Sequence, residues 1–149
     1  MLSLPLSLPR YLRIVRLSAW YDLIVSAGFA TPWTFALIHQ GLSLLAQRSG
    51  MPGSFPSFEP AHMLMANLLG SVVVVWSLVR LRDTQPVYGR YDALGRFLFA
   101  AWQLYAVAQG ASWLILGFTA VELAFGVAQL LPVRNQLPRF HVDPIPSKP

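Results

Sequence analysis

The chain has 149 residues, 55% of them hydrophobic and only 11% charged, with a formal charge of +5 and no cysteine. A soluble domain carries about 25% charged residues, so a water-exposed fold of this composition would present a largely apolar surface. The lack of cysteine excludes disulfides, thiolate-held zinc, iron–sulfur clusters and thiol catalysis. The positive charge flanks apolar runs without any recognition motif, which argues against nucleic acid as a partner.

The first twelve residues are apolar but broken by Pro5 and Pro9, and are expected along a membrane surface. A first span is predicted at 17–38. Arg10, Arg13 and Arg16 ahead of it, and Gly28-Phe29-Ala30 within it, have the layout of a cleaved leader. Asp22 interrupts that layout and the apolar run continues to Ile38, so an uncleaved span is expected. A single helix over 12–47 would be about 54 Å long against a bilayer core of about 30 Å. It must kink, tilt or leave the membrane; Pro32 is the expected kink, and Gln40–Gln47 the expected interfacial turn.

Residues 48–60 hold three prolines, two glycines and three serines and are predicted as an external loop. A second span is predicted at 61–79 and a polar internal loop at 80–93. The third and fourth spans, 94–110 and 112–132, are joined by a tight turn at Gly110-Ala111-Ser112. Tyr11, Trp20, Tyr21, Tyr88, Tyr91 and Trp113 fall where membrane interfaces favour aromatic rings. Tyr21-Asp22…Phe29-Ala30 is echoed by Tyr91-Asp92…Phe99-Ala100, which suggests two related helical hairpins.

Threaded through a bilayer, these spans put Arg10, Arg13, Arg16, Arg80, Arg82, Arg90, Arg96, Arg134, Arg139 and Lys148 on one side and Arg48 alone on the other. Lys and Arg accumulate on the cytoplasmic side. The expectation is therefore an all-α integral membrane four-helix bundle with both termini cytoplasmic, in a bacterial inner membrane. Residues 1–133 form its one domain, and 134–149 a Pro-rich tail containing His141.

Ionisable groups within spans are costly and need a reason. Glu122 lies at mid-depth of the fourth span, on one face with Thr119, Gly126 and Gln129. Gln103 and Asn67 are expected at similar depth, with Asn67 on a face shared by Met63, Gly70 and Ser71. Glu122, Gln103, Asn67 and Thr119 are thus the candidate ligand-binding set, with a neutral Glu122 donating to Gln103 or Asn67. The competing role is an interhelical hydrogen-bond clamp. Asp22 is expected to form a structural ion pair with Arg96, for which Asp92 competes at i, i+4. His39 and His62, at the outer ends of adjacent spans, are the candidate metal or haem ligands. No catalytic motif is present, so no catalytic residue is assigned. No cofactor is predicted outright; quinone and haem are the two considered. Ser26, Ala27, Gly28 and Ala30 form a small-residue patch suited to helix packing or dimerisation.

The layout of residues 10–133, with the patch Ser26-Ala27-Gly28 in the first span, resembles the DoxX-like group of small bacterial membrane proteins. That group has four spans, cytoplasmic ends, a longer first outer loop and a tight second one. Where the group often has a lysine after the patch, this chain has Pro32-Trp33. The resemblance implies a redox context, because some relatives are accessory subunits of quinone-dependent oxidation. The leading expectation is a non-catalytic accessory or assembly subunit of a membrane complex, partnered by another membrane subunit or by its own copies. The alternatives are a binder of a lipid, quinone or other apolar molecule in the bundle core, and a haem- or metal-binding redox protein using His39 and His62.

Overall fold

A computed structural model describes residues 5–134 as five helices, with no strand among them. The predicted tail at 134–149 lies outside the described residues, Arg134 excepted. The helices are α1 (Leu8–Ala27), α2 (Pro32–Ser49), α3 (Pro60–Arg82), α4 (Pro86–Ala108) and α5 (Ile115–Leu130). The first four all carry proline at their first or second position. There its fixed φ favours a helix and its missing N–H removes no hydrogen bond.

The first predicted span is two helices. α1 ends at Ala27, and α2 leaves at 95° after a break of four residues. The Thr31 hydroxyl accepts from the Thr34 N–H at 3.3 Å and starts the new helix. Pro32 is thus a helix start and not a kink, and 40–47, expected as a turn, is helical. The patch Ser26-Ala27-Gly28 closes α1, with Gly28 against Ile38 of α2. α2 ends at Gly50, whose φ of 64° suits glycine at a helix C-terminus. The predicted internal loop shrinks to Asp83-Thr84-Gln85, because α4 begins eight residues before the expected third span.

α1 packs on α3, α4 on α5, and α1 also touches both α4 and α5, while α2 rests on α3. Gly70 permits the close approach of α3: a Cβ there would stand 2.6 Å from the Phe29 carbonyl carbon. Two isolated bridges tie opposite ends. Leu6 pairs with Val133, placing the two ends of the described segment side by side, and Ser54 pairs with Ala111, joining the long loop to the tight turn. Arg10, Arg13, Arg16, Arg82, Arg90 and Arg134 belong to the elements at the first end, and Arg48 to those at the second.

α3 and α5 are polar inside and apolar outside. The buried residues of α5 are Thr119, Glu122, Gly126 and Gln129; those of α3 are Gly70, Ser77 and Arg80. Met65, Val72 and Val75 on α3 are each more than 60% exposed, as is Trp102 on α4. Among the described residues, by length and hydropathy, only α3 qualifies alone as a membrane-crossing helix. α1 and α2 qualify jointly as a bent pair, and α5 is apolar but has only 16 residues.

Candidate functional site

Five charged side chains meet where α1, α3, α4 and α5 come together. Arg80 and Arg96 project from α3 and α4; Asp22, Asp92 and Glu122 come from α1, α4 and α5. Asp22 Oδ2 lies 2.6 Å from both Arg80 Nη2 and Arg96 Nη2. Asp92 Oδ2 lies 2.6 Å from Arg80 Nη1 and 3.0 Å from Arg96 Nε. Glu122 Oε2 accepts from Arg96 Nη1 at 2.7 Å.

Neutral groups complete the network. Trp76 Nε1 donates to Asp92 Oδ1 at 3.0 Å, and Gln129 Nε2 donates to Asp92 Oδ2 at 2.8 Å and to Ser18 Oγ at 2.7 Å. Tyr11, fully buried and not interfacial as expected, donates to the Gln129 carbonyl at 2.8 Å. Arg80 stacks on Trp76 and Arg96 on Phe125, where the ring faces attract the cations. Such charges stay buried only when paired and hydrogen-bonded. Among the described residues three carboxyl groups face two guanidiniums, so the cluster balances with one proton or one further cation.

Next to this cluster is a cavity of roughly 390 Å³. Its wall is drawn from all five helices and the 55–58 loop, and α2, bent over, contributes Phe35, Ile38, His39 and Leu42. Most of the lining is aliphatic or aromatic. The polar side chains that reach it include Glu122, Gln103 and His39. A mostly apolar concavity with a few placed polar groups is the general form of a small-molecule site.

The sequence candidates are distributed as follows. Asp22 and Arg96 stand 2.6 Å apart, and Asp92 joins them instead of displacing either. Glu122 meets Arg96, and not the Gln103 or Asn67 amide expected of it. The physical reason is the early start of α4. With Pro86 as its first residue, Arg96 sits about 15 Å along the helix and reaches the depth of Glu122. Gln103 instead accepts from the Thr119 hydroxyl at 2.8 Å through Oε1. Asn67 donates at 2.8 Å to the Phe29 carbonyl, one of the acceptors freed where α1 breaks. Of the four ligand candidates, Glu122 and Gln103 line the cavity, while Thr119 and Asn67 hold neighbours in place.

His39 and His62 both pack against Phe58, with ring centroids 4.8 and 6.2 Å away. No group of three His, Cys, Asp or Glu side chains is placed to hold a metal among the described residues.

Arg80 is the principal residue that sequence reasoning placed wrongly. It was expected among the topology charges at the inner surface, and it is 0% exposed at the centre of the cluster. The signal was available: Asn67, Gly70, Ser77 and Arg80 fall at i, i+3, i+10 and i+13, one face of one helix. Compared with protein-family models, curated proteins and solved structures, the chain matches none.

Proposed function

We propose that this chain is a four-span integral membrane protein whose function is to hold an apolar small molecule in the cavity between its helices. The observation that carries the reading is the cavity: largely hydrocarbon walls, with Glu122, Gln103, His39 and Ser26 among its polar contacts. A lipid, a quinone or another apolar molecule with one polar end fits that chemistry. A purely scaffolding subunit of the DoxX-like kind, the leading expectation from sequence, gives no reason for such a pocket.

The membrane part of the reading rests on the inverted packing. Charges and amides inside with Val, Leu and Met outside suit a hydrocarbon solvent. α1, α3, α4 and α5 are the four spans, and α2 lies across the outer end. The arginines clustered at the end where Leu6 pairs with Val133 favour a cytoplasmic location for that end, in the manner of a bacterial inner-membrane protein. Since the chain has no native cysteine, the topology is testable with single-cysteine variants. Ser57→Cys is expected to react with a membrane-impermeant maleimide from outside intact cells, and Gln85→Cys only after permeabilisation. Reaction of both from one side would refute the four-span topology.

The binding reading is tested by photolabelling. A long-chain alcohol carrying a diazirine is added to the full chain in nanodiscs, and the labelled peptides are mapped by mass spectrometry. Labelling is expected at cavity residues such as Phe58 and Phe118, saturating at one probe per chain. Labelling confined to outward-facing residues such as Val72 and Val75, rising without saturation, would mean that the probe meets the protein only as bulk lipid.

A further inference from the structure

Resting on the binding reading above, we infer that the cavity selects a lipophilic monocation: an apolar molecule ending in a protonated amine or quaternary ammonium, seated against Glu122.

The first argument is charge. With all three ionised, Asp22, Asp92 and Glu122 outnumber by one charge the two cations they contact among the described residues, Arg80 and Arg96. An uncompensated charge in a low-dielectric interior is strongly unfavourable, and a single cation beside it removes the excess. The second argument is access. Of the three carboxylates only Glu122 lines the cavity. Its Oε2 is taken by Arg96, and Oε1 has no hydrogen-bond partner among the described residues. Asp92 is enclosed by Arg80, Arg96, Trp76 and Gln129, while Asp22 is shared by the two arginines. Asp22 is as exposed as Glu122, at 12% against 11%, but does not line the cavity, so the cluster meets the cavity at Glu122.

The third argument is the wall. Seven phenyl or phenol rings line the cavity. Phe118 stands one helical turn before Glu122 on α5, and Phe99 one turn before Gln103 on α4. Aromatic faces attract cations, most strongly where water is excluded, and rings around a carboxylate form the usual recognition surface for ammonium groups. The Gln103 amide N–H₂ is not engaged by Thr119, which bonds to Oε1. It serves an ammonium less well than a carbonyl would, so the discrimination rests on Glu122 and the rings. An anionic amphiphile would add to the excess charge and is rejected.

The test uses the diazirine alcohol as reporter and three competitors of equal chain length: dodecylamine, dodecanol and dodecanoate. Each is added at the same mole fraction in phosphatidylcholine nanodiscs holding the full chain at neutral pH. Dodecylamine is expected to suppress cavity labelling about tenfold more effectively than dodecanol, and dodecanoate least. In Glu122→Gln the amine and the alcohol are expected to compete equally. The unmodified protein carries the test by itself should that variant fold poorly.

Equal competition by amine and alcohol in the unmodified protein would overturn the inference while leaving the binding reading intact. It would mean that a proton on the cluster supplies the missing positive charge. Preference for dodecanoate would also overturn the inference. Absence of saturable cavity labelling by the reporter would remove the binding reading as well.

Discussion

Replacing Arg96 with leucine is expected to destabilise the fold by about 3–5 kcal/mol, the usual cost of removing one partner from a buried ion pair. The effect belongs at the top of that range because Arg96 contacts all three carboxylates, at 2.6, 3.0 and 2.7 Å. Without it, three negative groups share the single guanidinium of Arg80. Thermal unfolding in detergent, followed by the accessibility of an engineered buried cysteine, measures the loss. The control is Arg82→Leu, at the exposed end of α3, expected to change stability by less than about 0.5 kcal/mol. The double variant Arg96→Leu/Glu122→Leu is expected to recover part of the loss, because it removes an orphaned carboxylate together with its partner. Equal small losses in Arg96→Leu and Arg82→Leu would mean that the five charges are not an energetic unit.

The second large effect concerns the cavity. Ala66 of α3 lines it, and Ala66→Trp is expected to fill much of the space and to abolish saturable labelling by the diazirine alcohol. Binding should fall by two orders of magnitude or more, since the occupant loses its space and not merely one contact. Stability should change little or rise, because filling a void restores dispersion contacts otherwise missing from its walls. Loss of labelling accompanied by a large loss of stability would mean overpacking, and the smaller Ala66→Leu would then be the informative variant. Unchanged labelling in a well-folded Ala66→Trp protein would place the probe elsewhere.

Much of the helical pattern was legible because it is periodic. Thr119, Glu122, Gly126 and Gln129 repeat at helical spacing in an otherwise apolar run, and these four are the residues α5 buries. The proximity of Asp22 to Arg96 followed from depth alone, since both were read near the same end of neighbouring spans. The echoed Tyr-Asp pairs contribute Asp22 and Asp92 to one cluster, although the sequence offered no reason for them to meet there.

The break between α1 and α2 was obscured because both halves are apolar, and hydropathy does not distinguish one long helix from two at 95°. Arg80 and Arg96 were assigned to surfaces for a related reason. The apolar runs stop at them, but a helix continues through charged residues when its neighbours satisfy them. α3 runs on to Arg82 and α4 starts at Pro86, which moves both guanidiniums inward. The cavity was the least legible feature. Its wall comes from five helices and a loop, and no local pattern encodes their relative placement.

The most direct test of the proposed role is native mass spectrometry of the full chain extracted in mild detergent from the cells that produce it, with the organic extract analysed in parallel. The expected result is one apolar molecule of defined mass per chain, present with the unmodified protein and absent from a well-folded Ala66→Trp variant. A spectrum of bare protein and bulk phospholipid, the same for both proteins, would contradict the proposal that this bundle exists to hold a ligand.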